Sequence, residues 1–232
     1  MQVRRIVDLS VPIGPDTQLY PGDPRPELTP HATLHRDGYN LLALHLGSQT
    51  GTHVDAPYHV RADGTRVDAL DLALCTGPAT VLDVSGAPPR TPITADHIAD
   101  RTGDRIGDVP LRPIVLNHTG WARHYGTPGY FDHPFLHPDA VRRLLDRGVR
   151  TFCIDAPSID PTPDSSLPAH LLIADAGGVI GENFRNLELV DWPDPFVSCL
   201  PIKLADADGA PVRAVAMELD GDRVQPLPQE RG

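Results

Sequence analysis

The chain has 232 residues, 40% of them hydrophobic, and a formal charge of −11, which suits one large domain with an ample core. The acidic balance argues against nucleic acid and anionic membranes as partners, and no apolar run approaches the length of a bilayer span. Cys75, Cys153 and Cys199 are odd in number, widely spaced and free of any Cys-x-x-Cys pair, so reduced thiols in a cytoplasm are expected rather than a disulfide frame or a thiolate zinc site.

Residues 3–9 (Val-Arg-Arg-Ile-Val-Asp-Leu) read as an opening strand, with no apolar segment or cleavage site of a signal peptide around them. Gly14-Pro15-Asp16 and Tyr20-Pro21-Gly22-Asp23-Pro24 follow as a rigid, turn-rich loop. Residues 40–47 form an apolar strand in which His45 is expected at the rim of a pocket or in the core. Further on, 79–84 is a strand and Thr94–Asp100 a short helix with Thr94 as its cap. Residues 113–117 are a strand, and His118 just beyond it is a weaker candidate to face a site. Residues 139–146 carry Val141, Leu144 and Leu145 at helical spacing, Gly148 ends that helix, and 149–155 is a buried strand. This strand–helix–strand run points to α/β architecture. No domain boundary is visible across residues 1–232, and a loosely held tail is expected from about residue 222.

The stretch with the most chemistry is Gln49-Thr50-Gly51-Thr52-His53-Val54-Asp55-Ala56-Pro57-Tyr58-His59. In an extended chain, residues of one parity share a face. Gln49, Gly51, His53, Asp55, Pro57 and His59 would then look the same way, on a strand that ends beside a metal ion. Any one of 11 histidines is more often an ordinary core or surface residue than a ligand. Gly-Thr-His-x-Asp-x-Pro-x-His, however, fixes six positions in nine.

This pattern resembles the signature His-x-Gly-Thr-His-x-Asp-x-Pro-x-His of the metal-dependent cyclase/hydrolase family that includes bacterial kynurenine formamidase. The likeness extends through Thr119-Gly120-Trp121, Asp155-Ala-Pro-Ser-Ile-Asp160, and the closing stretches Leu200–Leu204 and Gly209–Ala214, nearly the whole chain. It implies a swivelling β/β/α-type domain with a mixed barrel-like sheet and flanking helices, assembled as a homodimer or homotetramer. It also implies a metal site made by His53, Asp55, His170 and Glu182, with Asp55 and Glu182 shared between ions when two are bound. His59 would be the acid/base group, and Tyr20 the aromatic residue that touches a small-molecule substrate.

Nitrogen and oxygen ligands of this kind suit Zn²⁺, with Mn²⁺ as the alternative, in one or two ions. The expected activity is hydrolysis of an amide, formamide or lactam by metal-activated water, with His59 moving the proton. Gln49 departs from the pattern, standing where the family has a metal-binding His. It leaves three outcomes open: one ion held without Gln49, Gln49 as an oxygen ligand, or a degenerate site. Two other functions use the same residues: a cyclase or dehydratase of secondary metabolism, and a non-catalytic ligand-binding protein.

Overall fold

The computed structural model describes residues 2–102 and 111–220. Its strands are β1 (Val3–Asp8), β2 (Glu27–Ala32), β3 (Leu41–His45), β4 (His53–Asp55), β5 (Thr76–Asp83), β6 (Pro92–Ile93), β7 (Ile114–His118), β8 (Phe135–Leu136), β9 (Thr151–Ile154), β10 (Val179–Glu182), β11 (Phe196–Ser198), β12 (Gly209–Pro211) and β13 (Val215–Leu219). The helices are α1 (Leu34–Asp37), α2 (Ala95–Thr102), α3 (Pro138–Asp146) and α4 (Pro168–Asp175). The expected tail from about residue 222 lies outside the described residues.

Nine strands join one mixed sheet in the order β1-β13-β11-β5-β7-β9-β10-β4-β12. Its middle, β5-β7-β9-β10, is parallel, and antiparallel pairs flank it on both sides. The topology forces the sheet to curl. β12 is one edge and β13 is next to the other, yet only residues 212–214 separate them in the chain. Three residues span about 10 Å, so the two ends of the sheet must come together. Leu9 donates to the Ala214 carbonyl and Val212 to that of Thr52, stitching this junction.

The curl divides the apolar residues into an inner and an outer core. On β7, Ile114 and Leu116 point inward and Val115 outward; on β9, Cys153 points inward and Phe152 and Ile154 outward. Both faces of these strands are buried, as the middle of a parallel sheet requires. The outer core is covered by Ile98 of α2, by Ala140, Val141 and Leu144 of α3, and by Ala169 and Ile173 of α4. α3 begins with Pro at its first position and stops before Gly148, whose φ of 87° is in the left-handed region. Thr94 Oγ1 accepts the His97 N–H at the start of α2, the expected cap. The α/β barrel-like architecture is therefore the one expected.

β2 and β3 form a separate antiparallel hairpin, and every residue of β3 is exposed. His45 belongs to this hairpin and is exposed, so it is not a core residue. The reason is that β3 pairs only with β2 and never joins the main sheet.

Candidate active site

The central motif is only briefly a strand. Gly51 has φ +71°, a conformation that turns the chain before β4 begins. Pro57–His59 then forms a 3₁₀ turn. Shared parity therefore explains His53 and Asp55, but His59 reaches the site by a turn of the backbone after Pro57.

Strand pairing supplies the next donor. β10 lies antiparallel to β4, with Glu182 directly opposite His53 and Ile180 opposite Asp55. His170 comes from the first turn of α4, whose two leading N–H groups are held by one carboxylate. Asp160 Oδ1 accepts from Ala169 at 2.9 Å and Oδ2 from His170 at 3.0 Å.

The four side chains meet in a buried cluster, each less than a tenth exposed. His53 Nε2 is 3.5 Å from Asp55 Oδ1 and 3.6 Å from Glu182 Oε2; His170 Nε2 is 3.7 Å from Asp55 Oδ2 and 3.4 Å from Glu182 Oε1. These separations are long for hydrogen bonds. They match the spacing of ligands on a shared ion, because tetrahedral ligands at 2.0–2.1 Å stand roughly 3.4 Å from one another, and each imidazole faces its own oxygen of each carboxylate. Both oxygens of Asp55 are buried and have no hydrogen-bond partner. A buried carboxylate left this way is costly unless a cation meets it. The donor set is nitrogen and oxygen only, so the residues fit a divalent ion of the zinc or manganese kind.

The imidazoles are oriented for that role. His53 Nδ1 lies 2.9 Å from the Gly51 carbonyl and His170 Nδ1 2.7 Å from Asp160 Oδ2. Both partners only accept, so each Nδ1 carries hydrogen and each Nε2 presents its lone pair to the cluster. The cluster's negative charge is visible in proton affinities as well. Burial opposes charging His53, but Asp55 and Glu182 outweigh it and raise its pKa to about 9. Burial likewise opposes charging His170, yet Asp160, Asp55 and Glu182 lift it well above the usual value. Burial would raise Glu182, and the two imidazoles hold it well below the carboxylate range. Without a metal, protons stand in for the cation.

Donor atoms fall into two close groups that share Asp55: His53, Asp55 and Glu182, and Asp55, His59 and His170. His59 is half-buried and its Nδ1 is 3.0 Å from Asp208 Oδ2. Gln49, weighed above as a ligand, turns its amide nitrogen to the same Asp208 oxygen at 2.9 Å.

His53, His170 and Glu182 of the cluster form the floor of a cavity of about 450 Å³, with Asp55 behind them. Leu19, Tyr20, Tyr130, Phe131 and Leu167 supply its apolar wall, and Gln49, His59 and Asp23 are among its polar residues. Tyr20 meets Phe131 edge to face, with ring centroids 6.5 Å apart. Burial lifts the Asp23 carboxyl above its ordinary pKa. His118 is not in this cavity; its Nδ1 faces Asp83 at 3.4 Å, beside Gly120 and Arg123.

Sequence reasoning did not single out Asp160 or Asp208. Asp160 ends the Asp-Ala-Pro-Ser-Ile-Asp run and precedes His170 by ten residues, a spacing with no regular period. Asp208 is joined to the motif only by the pairing of β12 with β4, which no local pattern announces. The dipeptide Asp208-Gly209 is the one signal that could have drawn attention to it.

Known proteins resemble this chain along most of its length. A family model described as "Putative cyclase" matches residues 7–161. Kynurenine formamidase of Salinibacter ruber is 35% identical over 214 residues, covering 90% of this chain and 96% of that protein. Among solved structures, isatin hydrolase A from Labrenzia aggregata, bound to benzyl benzoate, superposes with a TM-score of 0.83 at 25% identity, over 93% of this chain and 94% of the other. A potential metal-dependent hydrolase with cyclase activity superposes with a TM-score of 0.75 at 27% identity, over 93% and 98% of the two chains. With the family model covering most of the chain, and the relatives matching it nearly end to end, this protein belongs to the cyclase family.

Proposed function

We infer that this chain is a metal-dependent hydrolase that opens the carbon–nitrogen bond of a small aromatic formamide, amide or lactam. The observation that carries the reading is the buried His53–Asp55–His170–Glu182 cluster, with both Asp55 oxygens unmet, beneath an aromatic-walled cavity that His53, His170 and Glu182 line. Relatives named kynurenine formamidase and isatin hydrolase support the substrate class. A divalent ion held by those four residues supplies Lewis-acid polarisation of a carbonyl and acidifies water.

The remaining work falls to the chain's own groups. Tyr20 and Phe131 hold an aromatic ring, leaving the polar end of the substrate towards the cluster. His59 accepts a proton from the attacking water and returns it to the departing nitrogen. Water's oxygen ends on the carbonyl carbon as the C–N bond breaks, and its hydrogens are shared between the acid and the amine. The buried floor keeps His53 and His170 in one tautomer through the Gly51 carbonyl and Asp160.

One or two ions are held per chain, with zinc first and manganese as the alternative; the two donor groups that share Asp55 support a pair. The functional unit is a homodimer or homotetramer. In support of this, the β2–β3 hairpin exposes Leu41, Leu42 and Leu44, with Leu34 and Tyr39 on the segment between its strands, an apolar surface that a second copy would cover. Among the described residues no helix is long and apolar enough to cross a membrane, and three buried free thiols suit a cytoplasmic enzyme.

The test is metal content per chain by mass spectrometry, followed by turnover of a formamide and lactam panel in ¹⁸O-water. One or two equivalents of zinc or manganese, and label in the carboxylate product, are expected. Absence of retained metal together with no activity on any added ion would sink the reading. Turnover without label would favour a cyclase or dehydratase.

A further inference from the structure

The cavity wall contains a polar group that the four-donor cluster does not use. His59 Nδ1 and the Gln49 amide nitrogen both point at one oxygen, Asp208 Oδ2, at 3.0 and 2.9 Å, and lie 3.3 Å from each other. Strand pairing brings Asp208 there. In the register of β12 with β4, Gly209 stands opposite Asp55, and the Ala56 N–H donates to the Asp208 carbonyl at 2.8 Å. A Cβ at position 209 would lie 2.7 Å from the Val54 carbonyl oxygen and 2.8 Å from Gln49 Nε2. Only glycine lets β12 approach closely enough for its neighbour to reach the motif.

The proton positions follow from the partners. Asp208 is partly buried, which would raise its pKa, but hydrogen bonds from His59, Gln49 and Ser48 outweigh that and hold it below the usual carboxylate value. A carboxylate only accepts, and an amide NH₂ only donates. His59 Nδ1 therefore carries hydrogen and donates it to Asp208, and the Gln49 NH₂ also donates to Asp208. The 3.3 Å approach of Gln49 to His59 is then packing between two donors to one acceptor. His59 Nε2 is left as the nitrogen that exchanges protons.

We propose that Asp208 and Gln49 are positioning residues, which fix His59 as the Nδ1–H tautomer with its basic nitrogen in the cavity, and that Gln49 does this in place of binding metal. The proposal rests on the hydrolytic reading of the cavity for its catalytic meaning, not for its geometry. It assigns a role to the one departure from the family pattern. Where an imidazole would bind an ion, an amide instead anchors the carboxylate behind the acid/base histidine. Without Gln49, the Asp208 carboxylate would keep only its hydrogen bonds with His59 and Ser48. Gln49 gives its Oδ2 a second donor, and with it one orientation.

The experiment combines three readouts on zinc-loaded protein: ¹⁵N imidazole shifts of His59, zinc per chain, and steady-state kinetics. In the native chain, the ¹⁵N shifts report hydrogen on Nδ1. In Asp208→Asn, the charge behind the ring is lost and a neutral amide oxygen holds the Nδ1–H tautomer less firmly; kcat falls about 10²-fold, KM changes less than threefold, and zinc content is unchanged. Gln49→Ala leaves zinc content unchanged and lowers kcat about 3- to 10-fold, the effect of one hydrogen bond. Should Asp208→Asn not fold, Gln49→Ala, which deletes a half-buried amide, reads the same tautomer. Loss of zinc from Gln49→Ala would make Gln49 a ligand and overturn the proposal. So would a native His59 carrying its hydrogen on Nε2, or an Asp208→Asn enzyme with native kcat. If the native protein turns over no amide at all, the hydrolytic reading fails, while the tautomer and zinc measurements still decide the roles of Asp208 and Gln49.

Discussion

Asp55-Ala56-Pro57 and Asp155-Ala156-Pro157 are the same tripeptide, and both aspartates are buried. Their surroundings differ completely. Asp155 Oδ1 accepts the N–H and hydroxyl of Thr119 at 2.8 and 2.5 Å, and Oδ2 accepts the Gly120 N–H at 2.8 Å. It closes the loop after β7 and asks for nothing more. Asp55 has no partner for either oxygen and faces two imidazoles at distances too long for hydrogen bonds. A buried carboxylate is therefore not by itself the mark of a site. The mark is acceptor capacity that the fold leaves unused, because an unmet buried charge costs several kcal/mol unless a ligand meets it.

The largest effect should come from replacing each aspartate in turn. Asp55→Asn removes the shared charge of the cluster. Bound metal should be lost and turnover reduced by at least about 10³-fold, equivalent to roughly 4 kcal/mol of transition-state stabilisation. Asp155→Asn should keep its metal but lose about 3 kcal/mol of stability, since an amide NH₂ would face donors it cannot accept from. Metal analysis and denaturant unfolding of the two variants check this. The distinction dissolves if Asp155→Asn releases the metal and Asp55→Asn retains it.

Proton competition sharpens the same contrast. His53 has a folded-state pKa raised to about 9 from an ordinary 6.5, so at pH 7 the metal-free cluster is protonated. That proton stabilises the metal-free fold fully below pH 6.5, and its contribution is lost as pH rises through about 9. A metal must displace it. Zinc affinity, measured by chelator competition, should therefore rise about tenfold per pH unit from 7 to near 9 for the one proton that His53 releases per ion. A pH-independent affinity over this range would mean that His53 is not a ligand.

Asp160 lies between the two extremes, a satisfied carboxylate that serves an unsatisfied one. It accepts two N–H groups at the start of α4 and the Nδ1–H of His170. Asp160→Asn should weaken zinc binding about 10- to 100-fold through the freed imidazole, and lower stability by about 1 kcal/mol through the weakened cap. Isothermal titration with zinc and thermal unfolding separate the two losses. If only stability falls, Asp160 is a cap and no more.

What the sequence could reveal follows the same division. His53, Asp55 and His59 lie within seven residues, so their types and spacing are legible without a fold. Alternation along a strand correctly joins His53 to Asp55, but it places His59 by the wrong geometry, because Gly51 and Pro57 confine β4 to three residues. The α3 helix is legible from Val141, Leu144 and Gly148, since a helix and its stop are local. Asp208 is not legible, because its meaning depends on a strand pairing that joins positions more than 150 residues apart. His45 misleads for a related reason. An apolar strand normally implies burial, but β3 is apolar and exposed on a hairpin that leaves the sheet.

The smallest effect is expected at the cavity wall, where no charge is involved. Among the described residues Tyr20 makes one ring contact of defined geometry, the edge-to-face pair with Phe131, and it shares the cavity with the metal cluster. Aromatic pairs of this kind contribute about 0.5–1.5 kcal/mol beyond area burial, which is roughly 2- to 12-fold in an equilibrium constant. If Tyr20 grips the ring of the substrate equally in the ground and transition states, Tyr20→Ala should raise KM by that factor and leave kcat unchanged. Tyr20→Phe should change neither beyond twofold, because the ring and not the hydroxyl makes the contact. A fall in kcat at constant KM would show that Tyr20 acts on the reacting end of the substrate. The boundary between wall and floor would then have to be drawn elsewhere.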